Sequence, residues 1–488
     1  MLFNSVAFAF FMPIVFFIYW ALPHRYRWMA LLAANCWFYM SWEPKYIIVI
    51  LLTTVVSYFG AIGIEGAKNT SRKKWILVLG TLVTLSFLLV FKYTDFALSS
   101  VWKVLQLFAV PVQKTTLNLV MPIGISFYTF QMVGYLADVY TGKLKAERHF
   151  GHYALFVTFF PNILSGPIER AANMLPQFKK EKKFHYDDAA YGMRLILLGF
   201  LKKLIFADSM SRYVDNVFNH TEGASGLAFV IAIILFTFQI YCDFSGYSDI
   251  AIGVARLLGI RLMDNFKQPY YAASVREFWQ RWHISLSTWF RDYVYIPLGG
   301  NRVSKARKNL NLLLTFLTSG LWHGANWTFV LWGGIHGLYQ IIENTIKSAW
   351  KKRKKTTSET SAASQGHSKL VHIAQTILTF CLVAYAWMFF RANSITDAIY
   401  ITTHLFQGYD ITQALLDAGM THLSIIKTLL AIIVLMVYDY FSLKHDLLIK
   451  IEKLKLPFRW LIYIIVTVLI IVLSLHNGVK QEFIYFKF

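Results

Sequence analysis

A histidine set between two apolar runs of membrane length is the strongest candidate for chemistry in this sequence. His323 is the centre of Ser319-Gly-Leu-Trp-His-Gly-Ala-Asn-Trp-Thr328, with Leu310–Leu317 before it and Trp327–Leu338 after it. An ionisable group is costly in hydrocarbon, and where one persists it usually faces a cavity or a pathway. The competing reading is a tryptophan-rich interfacial turn whose histidine meets a backbone carbonyl. A second histidine, His283, lies in Arg276-Glu-Phe-Trp-Gln-Arg-Trp-His-Ile-Ser-Leu-Ser287, where Trp279, His283 and Leu286 recur at helical spacing. Taken alone, it reads as a buried, hydrogen-bonded histidine.

A neutral imidazole with a pKa near ~6.5 is suited to act as a general base that activates a hydroxyl against a thioester. A thioester is already a reactive acyl donor, so the protein need only bind it, align the hydroxyl and expel water. The phosphates of a coenzyme A donor would favour arginine and lysine at the cytosolic mouth. Candidates for that role are Arg276, Arg281 and Arg291, which serve equally well as interfacial arginines fixing helix ends. Lys202 and Lys203 join them, because adjacent lysines inside an apolar run cannot share one helix face and at least one should meet an interior anion. The chain lacks a Walker sequence, a Rossmann glycine pattern, His-Glu-x-x-His and Gly-x-Ser-x-Gly, which leaves an ATP-driven pump or a serine enzyme without support. Cys36, Cys242 and Cys381 are single and scattered, give no metal spacing and read as packing residues. No metal and no bound cofactor are expected.

The elements that must position these residues are membrane helices. Of 488 residues, 56% are hydrophobic and 15% charged, against about 25% charged in ordinary soluble domains. The net charge of +22 falls in short basic runs between apolar spans, the pattern of cytoplasmic loops on an anionic leaflet, and nucleic acid is not implied. Val6–Leu22 reads as an uncleaved first helix starting outside, since its basic residues follow it. Further spans are expected at about Trp28–Trp42, Tyr46–Ile64, Trp75–Phe91, Leu117–Val139, Tyr191–Ala207 and Leu227–Cys242, then Val371–Phe390, Ile425–Tyr440 and Trp460–Leu475.

Two stretches depart from that pattern. Phe160-Pro-Asn-Ile-Leu-Ser-Gly-Pro-Ile-Glu-Arg170 cannot continue a helix, and reads either as a broken segment beside a cavity or as a surface loop. Basic residues before Leu310 and after Leu338 put both flanks of His323 in the cytosol. From Leu310 to His323 a helix rises about 20 Å, which leaves the histidine deep in a core about 30 Å thick. The Ser/Thr-rich stretch Thr356–Ser368 is expected to be a cytosolic linker. Asp208–Ser225 and Arg391–Ser424 are expected to be external segments, and these with the C-terminal Phe483–Phe488 are candidate docking surfaces.

Trp322-His-Gly-Ala-Asn-Trp327, Arg281-Trp-His-Ile-Ser-Leu286 and Phe290-Arg-Asp-Tyr-Val-Tyr-Ile-Pro297 together resemble the membrane-bound O-acyltransferase (MBOAT) family, and most closely its bacterial alginate O-acetyltransferase branch. Met121-Pro-Ile-Gly-Ile-Ser-Phe-Tyr128, Asp243-Phe-Ser-Gly-Tyr-Ser-Asp249 and Phe389-Phe-Arg-Ala392 extend the likeness over most of the chain. The resemblance implies an all-α polytopic bundle of roughly eleven to thirteen transmembrane or re-entrant helices around a central funnel. It implies one membrane domain over 1–488, with N-terminal helices at 1–116, a catalytic core at 117–345, the linker at 351–369 and C-terminal helices at 370–488. His323 matches the family's catalytic histidine and His283 its second one, with Trp322, Asn326 and Asp292 as supporting residues. The implied reaction takes an acetyl group from acetyl-CoA in the cytosol to a polysaccharide outside a bacterial inner membrane, directly or through an extracytoplasmic hydrolase-like partner. Two alternatives are teichoic-acid D-alanylation from a carrier protein and a transporter with a proton-relay histidine.

Overall fold

A computed structural model describes residues 1–111, 116–356, 365–477 and 483–484. Among these the regular structure is entirely helical. Among the described residues six helices are long and apolar enough to cross a membrane: Pro44–Gly66, Thr70–Leu107, Gly226–Leu257, Lys369–Arg391, His422–Ser442 and Leu456–Leu473. Leu456–Leu473 buries none of its length in protein, although Leu461, Ile464, Val468 and Ile471 face outward. An apolar helix with that much open surface requires a hydrocarbon solvent. Gly226–Leu257 is the opposite case, 78% buried and the spine along which polar residues are held.

The chain forms two compact units that are discontinuous in sequence, Met1–Gly199 with Tyr247–Met263, and Phe200–Gly246 with Asp264–Phe488. In the first, Val6–Ala21 begins where the Ser5 hydroxyl accepts the Phe8 N–H at 3.2 Å, a standard N-cap. The span expected from Leu117 starts only at Ile125, after Pro122 and Gly124. Gly124 has φ +73°, and a Cβ there would lie 2.3 Å from the Ile163 carbonyl oxygen, so only glycine fits. The stretch Phe160–Arg170 is broken and buried, not a surface loop: helix Phe150–Thr158 stops, Phe160–Ile163 adds a turn, and irregular chain follows. Asn35 covers the break, its Oδ1 accepting the Phe160 N–H at 3.1 Å and its Nδ2 donating to Thr158 Oγ1 at 3.2 Å. Buried irregular backbone is tolerated only with such partners.

Three expectations need correction in the second unit and its spine. The crossing expected to end at Cys242 continues to Leu257, because Asp243, Tyr247 and Ser248 are buried within it. Asp208–Ser225 is not simply a loop. Asp208–Asn219 is an amphipathic helix that buries Met210, Tyr213, Val214, Val217 and Phe218, a 3.6-residue period overlooked beneath its polar composition. The linker at Thr356–Ser368 lies outside the described residues over 357–364, and a helix already begins at Gln365. In the C-terminal stretch Phe483–Phe488, only Phe483 and Ile484 are described, and both are buried.

Candidate active site

His323 is the last residue of the helix Lys305–His323, and Gly324 beyond it is extended. The helix Trp327–Thr356 then returns antiparallel against it. The two backbones approach closely through facing glycines: a Cβ on Gly320 would lie 2.2 Å from the Phe329 carbonyl oxygen, and one on Gly333 2.2 Å from that of Phe316. The tight hairpin holds His323 at its end, 4% exposed. Its ring meets Trp322 at 4.9 Å between centroids, Trp332 at 5.0 Å edge-on and Phe390 at 5.4 Å. Aromatic walls of this kind exclude water and hold the imidazole in one orientation.

His283 is brought to the same place by a break that the helical pattern conceals. The single amphipathic helix expected over Arg276–Ser287 is two short ones, Val275–Arg281 and Ile284–Phe290, and His283 between them has φ +44°. That left-handed backbone is strained in a residue with a Cβ. It turns the side chain inward, where it is fully buried, and its ring centroid lies 6.4 Å from that of His323.

Asn265, which sequence reasoning missed, secures His283. Asn265 Oδ1 accepts the Ser285 backbone N–H at 3.3 Å and the Ser285 hydroxyl at 2.9 Å, and it lies 3.0 Å from His283 Nδ1. An oxygen already accepting a backbone N–H must also accept from Nδ1, so the neutral ring carries its proton on Nδ1 and its lone pair on Nε2. Nothing near Asn265 in sequence marks it. Its role comes from the return of Ile284 N–H to the Asn265 carbonyl at 3.0 Å.

The other candidates divide between a cavity and places away from it. A cavity of about 530 Å³ is lined by Arg276, Arg291 and Lys308, with Trp279, Phe316 and Ser319 further in. Lys308, Leu312, Thr315 and Ser319 are spaced to share one face of the helix. The next position on that face is His323, about 22 Å above Lys308. Arg281 does not line this cavity. It pairs with Glu277 at 2.6 Å. Nor do Lys202 and Lys203, which lie in a π-helical turn, Leu201–Ala207. Lys203 does meet interior anions, but they belong to the protein: Asp208 at 2.9 Å and the Asp243 carboxylate. Lys202 stands 5.8 Å over the Tyr241 ring. Asn326 caps the returning helix, its Oδ1 accepting the Thr328 N–H at 3.1 Å and its Nδ2 donating to the Asn393 carbonyl. Asp292 pairs with Arg291 at 2.8 Å. Among the described residues no group of three His, Cys, Asp or Glu side chains could hold a metal ion.

Two buried histidines close together, and a basic cavity along the helix that ends at one of them, in an all-helical protein with spans apolar enough for lipid, define a candidate membrane enzyme site. The chain belongs to the MBOAT, membrane-bound O-acyltransferase family, whose model matches residues 148–385. It is therefore an O-acyltransferase and a multi-pass membrane protein. It is 38% identical over 442 residues to the probable alginate O-acetylase AlgI of Azotobacter vinelandii, covering 90% of this chain and 85% of that one. It is 34% identical to the peptidoglycan O-acetyltransferase of Helicobacter pylori, over 82% of this chain and 78% of the relative. It is 29% identical to the teichoic acid D-alanyltransferase of Bacillus subtilis, over 57% of this chain and 70% of the other.

Proposed function

We propose that this protein moves an acetyl group from acetyl-CoA at the cytosolic face of a bacterial inner membrane to a polysaccharide hydroxyl on the far side, directly or through an extracytoplasmic acceptor protein. The observation that carries this reading is the cavity along one face of Lys305–His323. Its basic residues suit phosphates, and its axis leads to the histidine. In the transfer step, His323 takes the proton of the acceptor hydroxyl as the oxygen attacks the thioester carbonyl. The tetrahedral intermediate then expels the coenzyme A thiolate, which leaves with the proton from the imidazolium. His283, with its tautomer fixed by Asn265, stands beside that reaction as a second, correctly oriented imidazole.

The relatives above named for O-acetylation cover 82% to 90% of the chain, whereas those named for D-alanyl transfer match little more than half of it. This supports an acetyl group and a polysaccharide acceptor. The test uses vesicles containing the purified protein, supplied with radiolabelled acetyl-CoA. The expected result is saturable loss of label from acetyl-CoA that is abolished in His323→Ala. Wild-type protein that ignores acetyl-CoA but accepts an acyl carrier-protein thioester would overturn the donor assignment.

A further inference from the structure

His336 is fully buried and has no part in the reaction described above. Its Nδ1 accepts the indole N–H of Trp279 at 3.3 Å, while Nε2 has no partner among the described residues. A ring whose Nδ1 accepts must carry its proton, when neutral, on Nε2. The rest of its surroundings are aromatic: Trp332 at 5.1 Å, Tyr339 at 6.0 Å, Phe278 at 6.2 Å and Phe316 at 6.3 Å between centroids. A buried imidazole that leaves one nitrogen unsatisfied is a cost that packing alone would remove by using a phenylalanine. Its one described hydrogen bond is the tie to Trp279.

Trp279 stands at an informative position. It lines the inner part of the cavity with Phe316 and Ser319, packs on Phe316 at 5.3 Å and on Trp332 at 5.7 Å, and Trp332 in turn packs on His323. His323 itself does not line the cavity. The indole is therefore part of the wall between the space for the donor and the catalytic ring. The acyl end of a donor entering past Arg276 and Lys308 would arrive against it.

We propose that Trp279, held in place by His336, sets the size of the acyl group that the enzyme accepts, restricting the donor to short acyl thioesters. This rests on the donor reading above. An indole fixed by a hydrogen bond and two aromatic neighbours cannot swing aside for extra methylenes, and pocket walls of this kind discriminate by roughly 10–200-fold per methylene. His336 is a positioning residue in this scheme and touches no substrate.

The test is competition between acetyl-CoA and butanoyl-CoA in vesicles containing the intact protein. Wild type should prefer acetyl. Trp279→Ala should lower that preference by about tenfold or more, with acetyl transfer still measurable. His336→Phe keeps the ring volume but removes the acceptor, and should lower the preference in the same direction. His336→Asn replaces the acceptor near Nδ1 and should restore it. Because the loss of a large indole could prevent folding, Trp279→Phe provides a second reading, with a smaller shift of the same sign. An unchanged acetyl-to-butanoyl ratio in Trp279→Phe and His336→Phe, each transferring acetyl, would overturn the proposal, as would wild-type protein that uses both donors equally. A wild type that uses neither donor refutes the acetyl-CoA reading instead.

Discussion

The two histidines are held by different means, and their variants should fail differently. His323 is fixed by aromatic packing at a helix end, so His323→Ala should leave a folded, inserted protein with acyl transfer down by about 10²–10⁴-fold, the usual weight of a general base. His283 is held through Asn265. Asn265→Leu removes the acceptor that fixes the tautomer, so that the Ser285 hydroxyl, 3.5 Å from Nδ1, can compete to set it. A second imidazole in the wrong tautomer should lower kcat by about a hundredfold, the lower end of a general acid–base contribution, with donor KM nearly unchanged. Steady-state kinetics in vesicles separates the two. The buried position of His323 was legible from its apolar context. Asn265 was not, because a residue that acts through a hydrogen bond from a distant loop leaves no local pattern.

Among the helices, the sharpest constraint is the glycine contact in the hairpin of Lys305–His323 and Trp327–Thr356. Gly320→Ala places a methyl against backbone that cannot yield, and overpacking of this order costs about 1–3 kcal/mol. It should lower the midpoint of thermal unfolding in detergent and move His323 with the helix end. The hairpin itself was anticipated from basic flanks on both sides of one apolar excursion. The split of Arg276–Ser287 at His283 was hidden, since Trp279, His283 and Leu286 keep helical spacing across the break. Another element-level test lies in the loop before Phe150. Burial pushes the Glu147 carboxyl up, but Lys179 at 2.6 Å and the backbone N–H groups of His149 and Arg148 outweigh it, and its pKa is lowered overall. A depressed carboxylate contributes stability above its unfolded pKa and loses it as pH falls through the lower folded value. Glu147→Gln should therefore be less stable than wild type at pH 7, and the gap should close in strong acid, as unfolding curves across that range would record.

At the scale of the whole molecule, the membrane explains surfaces that would be faults in a soluble protein. The class and several apolar spans were readable because hydrocarbon thickness constrains helix length directly. The discontinuous division into units was not readable, because it depends on which helices pack together. Cys381 is exposed in the fold yet lies mid-way along the apolar span Lys369–Arg391, so it should resist a membrane-impermeant maleimide in vesicles and react only after denaturation. Lys203, with Asp208 and Asp243, ties the π-helical turn to the long spine, and the Ile484 N–H donates to Asp243 at 2.8 Å. Removing Asp243 leaves the buried Lys203 ammonium with Asp208 as its carboxylate and takes the acceptor from the Ile484 N–H, and disrupting a buried ion cluster costs up to about 3–5 kcal/mol. Asp243→Leu should lower accumulation, and Asp243→Asn, which keeps an acceptor for the Ile484 N–H, should lower it less.

The backbone of His283 has a consequence for the history of such sequences. Left-handed φ costs most side chains roughly 1–2 kcal/mol, a penalty that asparagine largely escapes. His283→Asn should therefore be more stable than the larger His283→Gln, the reverse of the order expected from volume, while both lose activity. A lineage that ceased to need the transfer would be free to drift towards asparagine at this position.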